Sequence, residues 1–385
     1  MSHTLILHHC RAVLPDRVLT DAVIRIEAGV IRDVSAGPAR PSGGVVVDAG
    51  GLLLAPGFVD VHCHGDGATR YFDDPERVAL SLLRQGTTTA AATLGYPDMV
   101  PDGIAAQLRA YRAALGEWGR ELLDGGVHLE GPYMNRKYGA QTSRGVIKHP
   151  DPAEYRALLE EFPGLITWWA CAPELPGAVE FIRSAASRGV VVAAGHTEAT
   201  PEELAAAIGA GLKVITHWSN ATGNPRAAAF KGTRCPGLDE AALVHDEVSA
   251  EIIPDEQGLH VHPLMAKLLY KAKGPERILI ITDAGYRRPD DPPEPSGRRR
   301  DVSIDGEGNL AGSRLTMPGA ARNFRAFSGC TLPELFRMAA LNPARLLGLG
   351  DQIGSIEPGK RANLVVLDDD LNVLRTFVRG REVPR

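Results

Sequence analysis

Eight short apolar runs, each followed by a stretch of helical character, constrain this chain more than any other feature of it. The runs cover 57–61, 87–94, 127–129, 166–170, 190–194, 213–216, 248–253 and 278–282. Most are short, unalternating and rich in β-branched residues, as parallel strands buried on both faces are. Between them lie Ala/Leu/Glu/Arg stretches such as 101–115, 151–161, 201–210 and 263–273. Each opens near Pro or Asp, which suits a helix start. Eight strands alternating with helices predict an α/β chain folded as a (β/α)8 TIM-like barrel. An open doubly wound sheet is the competing arrangement. No G-x-G-x-x-G follows the first run, which disfavours its dinucleotide-binding form.

The ends of the chain have a different texture. Ala22-Val23-Ile24-Arg25-Ile26 and Val30-Ile31-Arg32-Asp33-Val34 flank a short Gly-containing loop, a hairpin pattern. Near the other end, 362–367 and 373–378 flank Asp368-Asp369-Asp370 in the same way. A lone hairpin is marginal in water. The two ends are therefore expected to pack together as one small β domain, residues 1–54 and 356–385, with the barrel over 55–355. Independent flaps on a larger core are the alternative.

Polar residues gather where the barrel strands end. The first ends in His62-Cys63-His64, the third in Glu130, the fifth in His196, the sixth in His217 and the eighth in Asp283. A barrel brings all C-terminal strand ends to one mouth. Histidines two apart on a strand point to the same side, so His62 and His64 can share an ion. Imidazole and carboxylate together are the ligand set of zinc and other borderline divalent metals. A lone strand-end histidine is more often structural, and it is the convergence that carries weight. His128, inside the third run, is expected to be structural and to point away from the mouth. His3, His8, His9, His149 and His245 lie outside the strand ends and read as solvated. A carboxylate such as Asp283 after an apolar run needs a partner, because burying an unpaired charge is costly. A divalent cation lowers the pKa of a coordinated water towards ~7 and polarises a carbonyl. A neighbouring carboxylate can then shuttle a proton. Hydrolysis of an amide, ester or related bond is the expected reaction class.

Composition narrows the partners. Lys and Arg number 42 against 47 Asp and Glu, a net charge of −5, whereas a nucleic-acid binder would show a basic excess. No apolar run approaches the ~20 residues that span a bilayer, so no membrane association is expected. No basic segment followed by a long apolar one opens the chain, and no signal peptide is expected. The cysteines, 5 in number, form no CxxC pair and predict reduced thiols in a cytoplasmic protein.

The order HxH, Glu, His, His, Asp on successive strands resembles the amidohydrolase superfamily. Within it the flanking text is similar to the N-acetylglucosamine-6-phosphate deacetylase family. The stretches that carry the resemblance are Ala55-Pro56-Gly57-Phe58-Val59-Asp60-Val61-His62, His128-Leu129-Glu130-Gly131-Pro132-Tyr133, Ala172-Pro173-Glu174, Gly195-His196-Thr197, Thr216-His217 with Asn220-Ala221, Gly258-Leu259-His260-Val261, Thr282-Asp283-Ala284, Ala311-Gly312-Ser313 with Leu315-Thr316-Met317, Leu341-Asn342-Pro343-Ala344 and 354–360. They span nearly the whole chain.

The resemblance implies that Glu130, His196 and His217 hold a main divalent metal. His62 and His64 would hold a second, so the cofactor is one ion or two: zinc first, with iron, manganese or cobalt as alternatives. Asp283 would be the general base and then the acid. Asn220, Ala221, Arg234 and His260 would bind the sugar phosphate, Ala140 and Gln141 would lie along the substrate, and Leu315, Thr316 and Met317 would line the acetyl side. The implied reaction is deacetylation of an N-acetylhexosamine 6-phosphate, N-acetylglucosamine 6-phosphate first, in a homodimer whose partner contributes near the phosphate.

The sequence also departs from the family pattern. Gln141 replaces a histidine, Ser219 replaces a phenylalanine before Asn-Ala, and the aspartate usual two before Gly-x-His is Glu256 or absent by a shift. The segment from 223 to 231 is long, and 290–300 reads as an exposed Pro- and Arg-rich loop. Arg287, Arg288 and Arg298 to Arg300 are read first as solvated charges, with attraction of an anionic substrate as the functional alternative. Other readings are deacetylation of a related N-acetyl amino sugar or an N-acyl amino acid, a cyclic amidase, and a non-catalytic sugar-binding barrel. The cyclic amidase is disfavoured because Glu130 stands where a bridging carbamylated lysine is usual. The non-catalytic barrel is disfavoured because a pure binder needs no base at Asp283.

Overall fold

A computed structural model describes residues 4–37, 44–99, 103–139, 146–224, 230, 232–286, 301–305 and 308–385. Eight parallel strands lie in sequence order: Phe58–Cys63, Thr87–Gly95, Val127–Glu130, Ile166–Cys171, Val191–Ala194, Val214–Ile215, Ser249–Ile252 and Ile278–Ile280. The seam closes after the last one, where Cys63 bridges Ala284 in parallel and the Asp283 amide donates to the His62 carbonyl at 2.9 Å. The expected (β/α)8 barrel is what forms. Its strands are short and almost fully buried; every residue of Thr87–Gly95 is. Runs of this kind have no face to give to water, which is why they alternate so little.

Helices follow the strands. Pro152–Glu161 is capped by Asp151, Pro201–Ala210 by Thr200 in a capping box with Glu203, and Pro263–Lys273 by the His262 ring, which accepts from the Leu264 amide. In each, Pro occupies the start, where its missing N–H costs nothing. The stretch 101–115 supplies the helix Ile104–Ala114, with its first residues outside those described. Among the described residues no helix is long and apolar enough to cross a membrane.

The chain ends share a second sheet. Thr4–Val13 pairs with Val18–Glu27 and Leu53–Pro56, and Leu53–Pro56 takes Leu364–Leu367 as its antiparallel neighbour. The hairpin Val18–Glu27 and Val30–Ala36 turns at Ala28 and Gly29, both with positive φ, the two-residue turn that matches strand twist. Gly29 also lies against the C-terminal segment, and a Cβ there would sit 2.8 Å from the Arg379 carbonyl. The two ends thus form one β layer with its own apolar core, Leu7, Ile24, Ile31, Leu54, Leu364 and Phe377 among its members. The chain passes from this sheet to the barrel at Gly57.

Candidate metal centre

Each candidate ligand leaves the barrel where its strand stops. Glu130 is the last residue of the third strand, while His196, His217 and Asp283 lie just beyond the fifth, sixth and eighth. These three all have left-handed backbone, with φ of 48°, 30° and 47°. Such φ in non-glycine residues costs of order 1–3 kcal/mol each and persists only where the surroundings enforce it. Here the amides are pinned: Thr197 N–H donates to the Ala221 carbonyl, His217 N–H to Glu251 and Asp283 N–H to the His62 carbonyl. The sharp turn is what aims each side chain across the mouth.

The side chains meet. Glu130 Oε1 lies 2.9 Å from His196 Nε2, 3.3 Å from His217 Nε2 and 3.4 Å from His62 Nε2, while Oε2 lies 3.3 Å from His64 Nε2. Asp283 Oδ1 is 3.2 Å from His64 Nε2 and 3.5 Å from His62 Nε2. Two groups of three follow, His62 with His64 and Asp283, and Glu130 with His196 and His217, each with its donor atoms within 4.8 Å of one another. Glu130 stands between them, one oxygen towards each.

Tautomers decide what these groups can hold. His196 Nδ1 is 3.2 Å from the Tyr138 carbonyl and His217 Nδ1 is 3.0 Å from the Asn220 carbonyl. A carbonyl only accepts, so each Nδ1 carries a proton, and in the neutral ring each Nε2 keeps the lone pair that a cation needs. His62 is arranged alike, with Nδ1 3.1 Å from Glu251 Oε2, and among the described residues its buried Nε2 has no hydrogen-bond partner. Nitrogen lone pairs and carboxylate oxygens converging in a buried pocket are a site for divalent cations, and the residues present fit one or two. With no cation, protons must serve. Burial works against an imidazolium, but Asp283 and Glu130 outweigh it and push His64 up to about 9. The same two carboxylates raise His62 well above the usual range. Burial would raise the two carboxylates, yet the imidazoles, His62 foremost, hold Glu130 well below its usual range and Asp283 below its own.

A layer behind the ligands was not read from the sequence. Glu251, in the middle of the seventh strand, is fully buried and holds both His62 and the His217 amide. Asp60, two residues before His62, accepts from the Thr282 hydroxyl at 2.6 Å and fastens the first strand to the end of the eighth. Burial raises its carboxyl to about 7. A charge inside an otherwise apolar run was the available signal for both. His128 is a correction: it does not point away. Its ring packs edge-on against His62 with centroids 4.6 Å apart, and its Nδ1 meets the Val61 carbonyl. Residues 128 and 130 are two apart on one strand and so share a face.

The remaining expected residues are placed less evenly. Asn220 spends its carbonyl on His217, and the Ala221 carbonyl accepts from Thr197. Arg234 is 88% exposed and pairs with Glu240 at 3.1 Å. It lines an open cavity of about 400 Å³ with Thr222, Asn224, Cys235, Asp239 and Glu240. Asp239 links that cavity to the metal ligands, since its carboxylate accepts from Ser219 N–H and the Thr222 hydroxyl on the His217 loop. His260 is buried, with Nδ1 3.1 Å from Asp255 and, among the described residues, no partner for Nε2. Asp255, three residues before Gly258, also accepts from the Leu259 and His260 amides. Leu315 and Met317 are buried, and Thr316 caps the helix Met317–Ser328. Their segment is tied to Asp283 through Ser313, whose amide donates to the Asp283 carbonyl at 2.7 Å. Ala140, Gln141 and the arginines of 287–300 lie outside the described residues.

Comparison with known proteins agrees with this geometry. The amidohydrolase family model matches residues 53–383. The chain is 31% identical to N-acetylglucosamine-6-phosphate deacetylase of Bacillus subtilis (strain 168), covering 99% of this chain and 97% of that one. It is also 31% identical to N-acetylgalactosamine-6-phosphate deacetylase of Escherichia coli O157:H7, covering 98% and 99%. Among solved structures, a variant of N-acetyl-D-glucosamine-6-phosphate deacetylase from Mycobacterium smegmatis in complex with N-acetyl-D-glucosamine-6-phosphate superposes with a TM-score of 0.83 at 30% identity, over 100% of both chains.

Proposed function

The chain belongs to the amidohydrolase family, and from that membership we propose that it hydrolyses the acetamide of an N-acetylhexosamine 6-phosphate, N-acetylglucosamine 6-phosphate first, to the amino sugar phosphate and acetate. The observation that carries this reading is the convergence of Glu130, His196 and His217 with Asp283 one imidazole away, Oδ1 3.2 Å from His64. The names of its relatives supply the substrate class.

Glu130, His196 and His217 would hold one cation, and His62 and His64 a second, with Glu130 between them. Zinc suits this mixed imidazole and carboxylate set, and iron, manganese or cobalt would be accepted by it. When bound, the cation polarises the acetyl carbonyl and makes water a better nucleophile. Asp283, a carboxylate kept ionised by the imidazoles, takes a proton from the attacking water. The water oxygen bonds to the acetyl carbon, the C–N bond breaks, and Asp283 returns the proton to the departing amine nitrogen. Acetate leaves with the oxygen. The unpartnered Nε2 of buried His260 supports a contact to the sugar phosphate. Arg234, a planar and permanently charged fork beside an open cavity, supports a phosphate contact. Its exposure also supports a homodimer in which a second subunit completes that region. The five cysteines, all free thiols, support a cytoplasmic enzyme of amino sugar metabolism.

The gluco and galacto relatives are equally similar, so the test must include both epimers. Elemental analysis of the purified protein should find a divalent metal. Acetate release should be fastest on a 6-phosphate within a panel of N-acetyl sugars, their 6-phosphates and N-acetyl amino acids. A preference for the amino acids would overturn the substrate, and absence of acetate from every member would overturn the activity.

A further inference from the structure

We infer that Glu251 is a positioning residue of the metal centre, ordering one ligand from each group of three through a single carboxylate oxygen. The inference rests on the metal-centre reading given above. Glu251 Oε2 lies 3.1 Å from His62 Nδ1 and 3.3 Å from the backbone nitrogen of His217. His62 belongs to the group with His64 and Asp283, and His217 to the group with Glu130 and His196. The carboxylate is thus shared between two sites that the chain builds from different strands.

A merely structural role explains these contacts poorly. Glu251 is fully buried in the strand Ser249–Ile252, between Ala250 and Ile252, and among the described residues its Oε1 has no hydrogen-bond partner. A half-satisfied buried carboxylate is an expensive way to hold a barrel together, and an apolar residue of that size would cost less. What an apolar residue cannot do is fix a tautomer. Accepting from His62 Nδ1 leaves the Nε2 lone pair facing Glu130 and Asp283. A carboxylate behind a ligating imidazole also raises its basicity as a ligand. The second contact works on the backbone. It pins the His217 amide where φ is 30°, a conformation the residue does not hold unaided. The Glu251 carbonyl adds to this by accepting from the Trp218 amide at 2.8 Å.

The test compares wild type, Glu251→Gln and Glu251→Leu, stripped and reloaded with zinc, by metal per chain, zinc dissociation constant against a chromophoric chelator, and thermal midpoint with and without zinc. Glutamine keeps an acceptor of the same size and loses the charge, so its zinc affinity should fall by about tenfold. Leucine keeps neither, and its affinity should fall by about 100-fold, the upper end for such partners. The stabilisation gained on adding zinc should shrink in the same order. A residue that only supports the barrel would lower the midpoint equally with and without zinc and leave the dissociation constant alone. Wild-type affinity in either variant overturns the inference, and the near-isosteric glutamine decides it should the leucine variant not fold. If wild type itself takes up no zinc, the metal-centre reading fails instead, a different result.

Discussion

His196 Nε2 and His217 Nε2 face each other at 3.1 Å while the Nδ1 atom of each ring donates to a backbone carbonyl. Two nitrogen lone pairs do not rest that close beside a carboxylate, so a proton or a cation must lie between them. A proton can serve only one of the two nitrogens at a time, whereas a divalent cation serves both and the Glu130 oxygen together, so the pocket's behaviour should depend on which of the two occupies it.

Metal removal should destabilise the fold. A ligand that binds only the native state adds about 2.7 kcal/mol when present at 100 times its dissociation constant. Calorimetry before and after exhaustive chelation should show the thermal midpoint falling by several degrees and returning on readdition of zinc. An unchanged midpoint would mean the ligands are already satisfied without an ion.

Metal binding should also expel protons. In the metal-free protein Asp283 and Glu130 push His64 up to about 9 and raise His62 well above the usual imidazole range, so imidazolium protons stand where a cation would bind. Ligation needs both rings neutral. Proton release is thus expected at pH 7, and apparent affinity should rise as the pH climbs towards about 9. Titration calorimetry in buffers of different ionisation enthalpy reads the number released; a heat independent of buffer would contradict the assignment.

Asp283→Asn should keep its metal and lose its turnover. General acid–base catalysis typically contributes ~10²–10⁴-fold, and the rate of acetate release should fall by that much while metal content stays at the wild-type level. A variant within a few-fold of wild type would remove Asp283 from the proton transfers.

Gly139→Ala should disturb His196. A Cβ at this position would lie 2.3 Å from His196 Nδ1 and 2.9 Å from the Tyr96 hydroxyl, and the backbone is left-handed with φ of +110°. Gly164→Ala is the control, since Gly164 has φ of +72° but open space around it. Both should lose the roughly 1 kcal/mol or more of a strained φ. Only Gly139→Ala should also weaken metal binding, and equal metal affinity in the two would show that the ring tolerates the intrusion.

Arg234→Ala should raise KM for a 6-phosphorylated substrate by about 10- to 100-fold, as expected for losing hydrogen bonds to a charged group. KM for the unphosphorylated sugar should change little. Similar changes for both would separate Arg234 from the phosphate.

The barrel was legible because strands buried on both faces leave so plain a record of short β-branched runs. The chain ends were legible for the opposite reason, since hairpins too small to stand alone had to find each other. The six clustered residues could be found because a barrel sends all its strand ends to one mouth. Inside the strands the reading thinned. Glu251 and Asp60 sit among apolar neighbours, and a search confined to strand ends passes over them. His128 was misdirected although its spacing from Glu130 placed it on the same face. Ser219, with φ of 66°, shows the limit on the substrate side. A residue type that departs from the family pattern does not reveal the turn it occupies, and that turn sets where Asn220 and Ala221 lie.

The shared sheet has a consequence for how the polypeptide is made. Leu53–Pro56 leaves the ribosome long before Leu364–Leu367, the strand it must lie beside. Thr4–Val13 can cover one edge of Leu53–Pro56 early, but during synthesis the edge that faces Leu364–Leu367 has no mate, and pairing across so long an interval is slow. The first segment must therefore wait, exposed to foreign strands, until translation of the last one releases it from that risk.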